Sequence, residues 1–100
     1  MPKGYWIVHV DITNLERYKE YMAANATPLK KFGARILVRA GQFENPEGAT
    51  RSRSGLIEFP SYEAALACYR STEYQQAISL RQSVSTMDLV IVEGYEGAQP

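Results

Sequence analysis

The chain has almost none of the residues that build metal centres and disulfide frameworks. It holds one cysteine, Cys68, and one histidine, His9, in 100 residues. A lone cysteine excludes an intrachain disulfide and fits a reducing compartment. One histidine and one cysteine far apart give no clustered ligand set, so no metal site is expected. Net charge is missing too: eleven basic residues balance eleven acidic ones. No long-range field therefore draws the chain to nucleic acid or to an anionic membrane. No apolar run approaches the length of a membrane span. Residues Met1-Pro2-Lys3-Gly4-Tyr5 lead straight into a strand-like pattern without a long apolar stretch, so no secretory leader is expected and the cytoplasm is the expected location. Gly33, Gly41, Gly48 and Gly55 form no phosphate-cradling loop.

What is present reads as one small domain over residues 1–100, with 96–100 a loose tail. Residues 5–12, Tyr-Trp-Ile-Val-His-Val-Asp-Ile, are β-branched and aromatic and read as the first strand. Thr13 and Glu16 stand at capping-box spacing. Apolar residues then recur at helical intervals at Leu15, Tyr18, Met22, Ala26 and Leu29. Pro28 predicts a restart there, with Thr27 as cap, because proline lacks an N–H and crowds the preceding turn. Gly33 ends the segment. The second strand is expected within 34–44, with Gly41 as a bulge. Asn45-Pro46-Glu47-Gly48 fits a type I turn. A third strand is expected from about Arg51 to Phe59, and Pro60-Ser61 stops it. Ser61 caps a second helix, which restarts at Ser71-Thr72-Glu73 and continues to Arg81. Residues 87–95 read as the fourth strand. The order β-α-β-β-α-β predicts an α+β, ferredoxin-like fold: a four-stranded antiparallel sheet with its helices on one face.

Strand side chains alternate between two faces. One expected set is Trp6, Val8 and Val10, with Ile36, Val38, Ile57, Phe59, Val90 and Val92; it is apolar and belongs under the helices. The other set is Tyr5, Ile7, His9 and Asp11, with Leu37, Arg39, Leu56, Glu58, Leu89, Ile91 and Glu93; it mixes large apolar residues with charges. Five of its members would leave a solvent-exposed apolar patch of the kind that marks an interface. At roughly 1.5–3 kcal/mol per buried side chain, five per subunit give about 15–30 kcal/mol for a pair. That exceeds the roughly 4–15 kcal/mol cost of association. A homodimer packed through this face is expected.

Five segments carry a resemblance to a known family: Lys3–Ile7, Phe32–Arg39, Ile57–Ser61, Ser71–Gln75 and Leu89–Gly94. In order and over nearly the whole chain, they resemble the family catalogued as domain of unknown function 1330. The family's usual Arg-Gly-Gly stands here as Arg39-Ala40-Gly41. The resemblance implies the dimeric α/β-barrel superfamily. Relatives there include cofactor-free monooxygenases, muconolactone isomerases, haem-degrading enzymes and non-catalytic ligand sensors. The family itself has no agreed activity, and a shared fold does not fix function.

His9, Arg39, Glu58 and Glu93 fall on the mixed face. With strand order 4-1-3-2, His9 neighbours Glu93, and Arg39 neighbours Glu58. Such a set can form a polar pocket: Arg39 holding an anionic group, His9 as acid or base, Glu93 orienting it. It can equally be a set of paired charges at a dimer interface. Seven tyrosines offer a second candidate. Tyr18, Tyr69 and Tyr74 on the helices can line a ligand cleft between helices and sheet, or fill the core edge. Cys68 reads as a small packed residue. An RNA-recognition role would need stacking aromatics on the third strand, where Glu58 stands instead, so no nucleic-acid partner is expected. The functional expectation is a small-molecule-binding protein or cofactor-independent enzyme. The alternative is a non-catalytic homodimeric sensor or accessory protein.

Overall fold

The computed structural model describes residues 2–100. The elements run β1 (Gly4–Ile12), α1 (Leu15–Lys31), β2 (Arg35–Arg39), β3 (Arg53–Phe59), α2 (Tyr62–Arg70), α3 (Thr72–Ile78) and β4 (Ser85–Glu93). The four strands form one antiparallel sheet in the order β2-β3-β1-β4. This is the expected ferredoxin-like α+β fold, with the helices on one face. Among the described residues, no helix is long and apolar enough to cross a membrane.

Local chemistry sets the helix ends. Asn14, not Thr13, caps α1: its side chain accepts from the Arg17 amide at 3.2 Å. Thr13 is occupied elsewhere. Its amide and hydroxyl both donate to the Val84 carbonyl, at 2.8 and 3.1 Å, tying the end of β1 to the approach to β4. Glu16 meets Lys19 instead of closing a capping box. α1 also runs through Pro28 without a restart. Proline costs the helix one hydrogen bond, but the Pro28 carbonyl still accepts from Phe32 at 3.1 Å and the ring is buried, which offsets the loss. Gly33, at φ +74°, closes the helix: its amide reaches Lys30 and the Ala34 amide reaches Leu29, a Schellman pair. Ser61 caps α2 and Ser71 caps α3 as expected. α3 stops at Ile78, and hydrogen-bonded turns cover the stretch to Val84.

Three strand expectations are corrected. β2 ends at Arg39, because Ala40 takes a left-handed φ of +53°. The irregularity falls between Ile36 and Val38, so Leu37 and not Gly41 occupies the bulge. β4 turns the opposite way from the expected one: Leu89 and Ile91 stand opposite Val8 and Trp6, while Val90 stands opposite Ile7 and Val92 opposite Tyr5. Val90 and Val92 therefore face away from the helices, 56% and 39% exposed. The run Leu89-Val90-Ile91-Val92 has no polar residue to mark its outer side, so only the pairing with β1 decides it.

The core is aromatic. Trp6 is 1% exposed, and its indole N–H donates to the Ala65 carbonyl at 3.0 Å. Phe59, Tyr74 and Tyr69 surround its ring with centroids at 5.0, 4.9 and 6.0 Å. Edge and tilted contacts of this kind add about 0.5–1.5 kcal/mol each beyond area burial. Cys68 is fully buried in the same cluster. α2 lies on β1, β3 and β4, and α1 leans on α3. The β2–β3 side of the sheet is left more open: every residue of β2 is exposed.

Candidate functional site

The register of the strands takes the sequence-predicted constellation apart. His9 stands opposite Asp88 on β4 and Ser54 on β3, and its Nδ1 lies 3.2 Å from the Ser54 hydroxyl. Glu93 stands opposite Gly4, five residues before His9. That is about 16 Å along a strand at ~3.3 Å per residue, and an odd offset puts the two on opposite faces. The expected His9–Glu93 neighbourhood is thus corrected. So is the pairing of Arg39 with Glu58. The bulge at Leu37 places Arg39 opposite Gly55 and leaves Arg35 opposite Glu58. Glu58 accepts from the Tyr5 hydroxyl at 3.1 Å and has the Arg35 guanidinium at 3.9 Å. The hydrogen bond from Tyr5 to this carboxylate, with burial and the carboxylate's charge adding, raises the phenol above its ordinary range. The outward face therefore holds His9 and Glu58 in small separate contacts among Ile7, Leu56, Val90 and Val92.

The other side of the sheet holds a cavity of about 120 Å³ between α1 and the strands. Val8, Val10, Ile36, Ile57, Met87 and Leu89 form its sheet wall, and Met22 and Leu29 come from α1. Polar groups are few: Tyr18, Tyr21 and Asn25 from α1, Arg39 at the end of β2, and Arg53 and Ser54 at the start of β3. Such a largely apolar concavity with a few convergent polar groups is the usual form of a small-molecule site. Burial pushes the Tyr18 phenol up to about 12, with Tyr21 adding to the shift and Arg81 and Arg53 opposing it. Tyr18 is thus a neutral hydroxyl at physiological pH, able to donate a hydrogen bond but not to act as a base.

The remaining expected residues lie behind this cavity. Tyr74 is fully buried, and its hydroxyl lies 2.7 Å from that of Tyr21. Tyr69 packs on Tyr74 and Trp6. Neither Tyr69 nor Tyr74 lines the cavity, whereas Tyr18 and Tyr21 do. Burial pushes the Cys68 thiol up to about 12, with Glu73 adding to it, which leaves the sulfur unreactive at neutral pH. Arg53 and Asn25 escaped the sequence reading. Arg53 was within reach of it: counting back by twos from Phe59 and Ile57 passes Gly55 and ends on Arg53, a charge on an otherwise apolar row. Asn25 lies within α1 and carried no comparable signal. Among the described residues, no group of three or more His, Cys, Asp or Glu stands together to hold a metal.

Comparison with known proteins agrees with this architecture. The family model described as domain of unknown function (DUF1330) matches residues 3–95. No protein of curated function matches the chain. A protein of unknown function from Rhodopseudomonas palustris superposes with a TM-score of 0.75 at 18% identity, over 96% of this chain and 85% of its own. A dimeric ferredoxin-like protein of unknown function from a Jannaschia species gives 0.67 at 15%, over 91% and 98%. SnoaB, a cofactor-independent oxygenase from Streptomyces nogalater, gives 0.64 at 8%, over 100% and 97%. At these identities the likeness is one of fold.

Proposed function

The chain belongs to the DUF1330 family, and on that premise we propose that it is a homodimeric small-molecule-binding protein of the dimeric α/β-barrel type, with the helix–sheet cleft as its ligand site. The observation that carries this reading is the apolar cavity beside Arg39, walled by α1 and the sheet. The protein is cytoplasmic in this reading and has no nucleic-acid or membrane partner. Tyr69 and Tyr74 support the cleft from the core, and Tyr18 faces the ligand. His9, Glu58 and Glu93 belong to the dimer side and the strand end.

The same fold in the Streptomyces protein is described as a cofactor-independent oxygenase, and it supports a catalytic form of the reading. No carboxylate or imidazole lines the cavity among the described residues. An enzyme built on this cleft would act on a ligand that is already anionic, held by Arg39, and not on one deprotonated by His9. A sensor with no turnover is the alternative, and it uses the same cleft.

Pairing of two copies through the outward sheet face follows from its apolar surface. Ile7, Val90 and Val92 are 37%, 56% and 39% exposed. Covering that remainder in both copies contributes about 4–8 kcal/mol, with Tyr5 and Leu56 adding to it. Association costs on the order of 4–15 kcal/mol. The gain and the cost are of the same order, so one charge placed on this face is enough to prevent pairing.

Two measurements test the reading. Light scattering should give twice the 11.3 kDa chain mass for the wild type and the single mass for Val90→Lys. A thermal-shift screen of small apolar compounds should find ligands that stabilise the wild type but not Ile36→Trp, in which the cavity is filled. At a hundredfold excess over Kd such a ligand contributes about 2.7 kcal/mol. Ligands that stabilise both proteins equally would exclude the cleft.

A further inference from the structure

The arginines at the β2–β3 corner divide by face. Arg35 and Arg51 both have acidic partners: Glu58 lies 3.9 Å from Arg35, and Asp11 and Asp88 lie 3.1 and 2.9 Å from Arg51. Arg39 and Arg53 line the cleft, and among the described residues neither has a carboxylate within 4.0 Å. Arg39 stands opposite Gly55 on the helix-side row, and Arg53 is two residues back on that row, opposite Val10. Diagonal neighbours of this kind have their backbones about 7–8 Å apart. Gly55 places no side chain between them. Two guanidinium groups thus flank a bare stretch of strand at the edge of an apolar chamber, with no counter-charge from the protein.

Like charges held this close repel, and each guanidinium forks naturally onto a carboxylate. The chamber behind them is small. At about 120 Å³ it is a little below the ~150 Å³ of an engineered apolar cavity that accepts benzene. Its walls are mostly apolar, aliphatic with Trp6 among them, and besides the two arginines the polar groups are the Tyr18, Tyr21 and Ser54 hydroxyls and the Asn25 amide. A nucleotide or sugar phosphate would find too little room and too few donors.

We propose that the cleft takes a small monoanion whose apolar body is no larger than one six-membered ring, its carboxylate or enolate held between Arg39 and Arg53. This rests on the cleft being the ligand site, and it adds the charge, the size and the second arginine. The ring occupies the space between α1 and the sheet. The negative group stays at the mouth, where water still reaches it. Tyr18 and Asn25 donate to any further oxygen on the ligand.

Trp6 is the only tryptophan of the chain and lines the cavity, so its fluorescence reports occupancy directly. The probes are benzoate, its neutral isostere benzamide, and 2-naphthoate, which has the same charge on a larger body. Benzoate should change Trp6 emission saturably, and benzamide and 2-naphthoate should each bind at least tenfold more weakly. Arg39→Gln and Arg53→Gln should each weaken benzoate at least tenfold and leave benzamide unchanged. Both side chains lie at the mouth and carry no ion pair, so these variants keep the fold. Equal binding of benzoate and benzamide would overturn the anion proposal and leave the cleft standing as a neutral pocket. Equal binding of 2-naphthoate would overturn the size limit. Flat Trp6 emission with all three probes would remove the proposal and the cleft reading together.

Discussion

Replacing Tyr74 with phenylalanine removes one oxygen from a contact that joins α1 to α3 through the middle of the protein. The hydroxyls of Tyr21 and Tyr74 lie 2.7 Å apart, and the two residues are 4% and 0% exposed. Burial, reinforced by Tyr21, drives the Tyr74 phenol far above its ordinary range, so the Tyr74 hydroxyl stays protonated. Each hydroxyl is the other's hydrogen-bond partner. Tyr74→Phe leaves the Tyr21 hydroxyl stranded, and Tyr21→Phe leaves that of Tyr74. A buried polar group without its partner costs about 1–3 kcal/mol. In a domain of this size each kcal/mol lowers Tm by about 4–8 °C. The double variant removes both hydroxyls and keeps the ring packing, which is close to neutral. The expected result is a double variant more stable than either single one, measured by urea denaturation in a double-mutant cycle. Arg81 lies over the Tyr21 ring at 5.3 Å with an unpartnered Nε, so it can donate to a stranded hydroxyl. Repeating the cycle in Arg81→Met should therefore enlarge the single losses. Strictly additive losses in both backgrounds would refute the idea that mutual satisfaction, and not packing, holds this pair.

Two other perturbations probe the frame around the cleft. Ala40 holds a φ of +53°, while its amide donates to the Ser54 carbonyl at 2.9 Å. Left-handed backbone costs a residue with a Cβ about 1–2 kcal/mol, and glycine gives back about 0.4–1 kcal/mol through its freer unfolded chain. Ala40→Gly should therefore raise stability by about 0.5–1 kcal/mol in calorimetry, and an unchanged or lower Tm would argue against the strain. At Asp11 the Ser52 amide, the Ser52 hydroxyl and Arg51 together hold the carboxyl below its usual range. A depressed carboxylate contributes stability above the ordinary carboxylate pKa and loses it as pH falls through the lowered value. The wild type should lose stability as pH drops below about 4, and Asp11→Asn should be weaker at pH 7 with a flatter acid limb. Parallel acid limbs in the two proteins would show that this contact does not anchor the segment before β3.

Legibility in the sequence followed the range of the interaction. The element order, the caps at Ser61 and Ser71, the stop at Gly33 and the apolar row Trp6-Val8-Val10 depend on neighbours a few residues away, and each was readable. Pro28 misled because its cost is local while its compensation, burial of the ring, is tertiary. Thr13 misled in the same way: its spacing fits a cap, but the Val84 carbonyl claims its hydroxyl from 71 positions further along the chain. The candidate site was the least legible part. Arg39 was read as a candidate anion-holding cation on the outward face of the sheet, but the register places it on the helix side, where it lines the cavity. Arg53, its neighbour in space, drew no notice as a partner because 14 positions separate them in sequence.

The sequence by itself determined that four strands and their helices alternate in this order, that one face of β1 is apolar, and that metal, disulfide and phosphate-loop chemistry lacks its usual motifs. Only the tertiary structure decided which way β4 turns, where the bulge in β2 falls, and so which of His9, Arg39, Glu58 and Glu93 share a surface. The physical reason is the two-residue period of the strand. Side-chain direction is known only once a partner strand fixes the register, and a single extra residue, here Leu37, carries an arginine from one face of the sheet to the other.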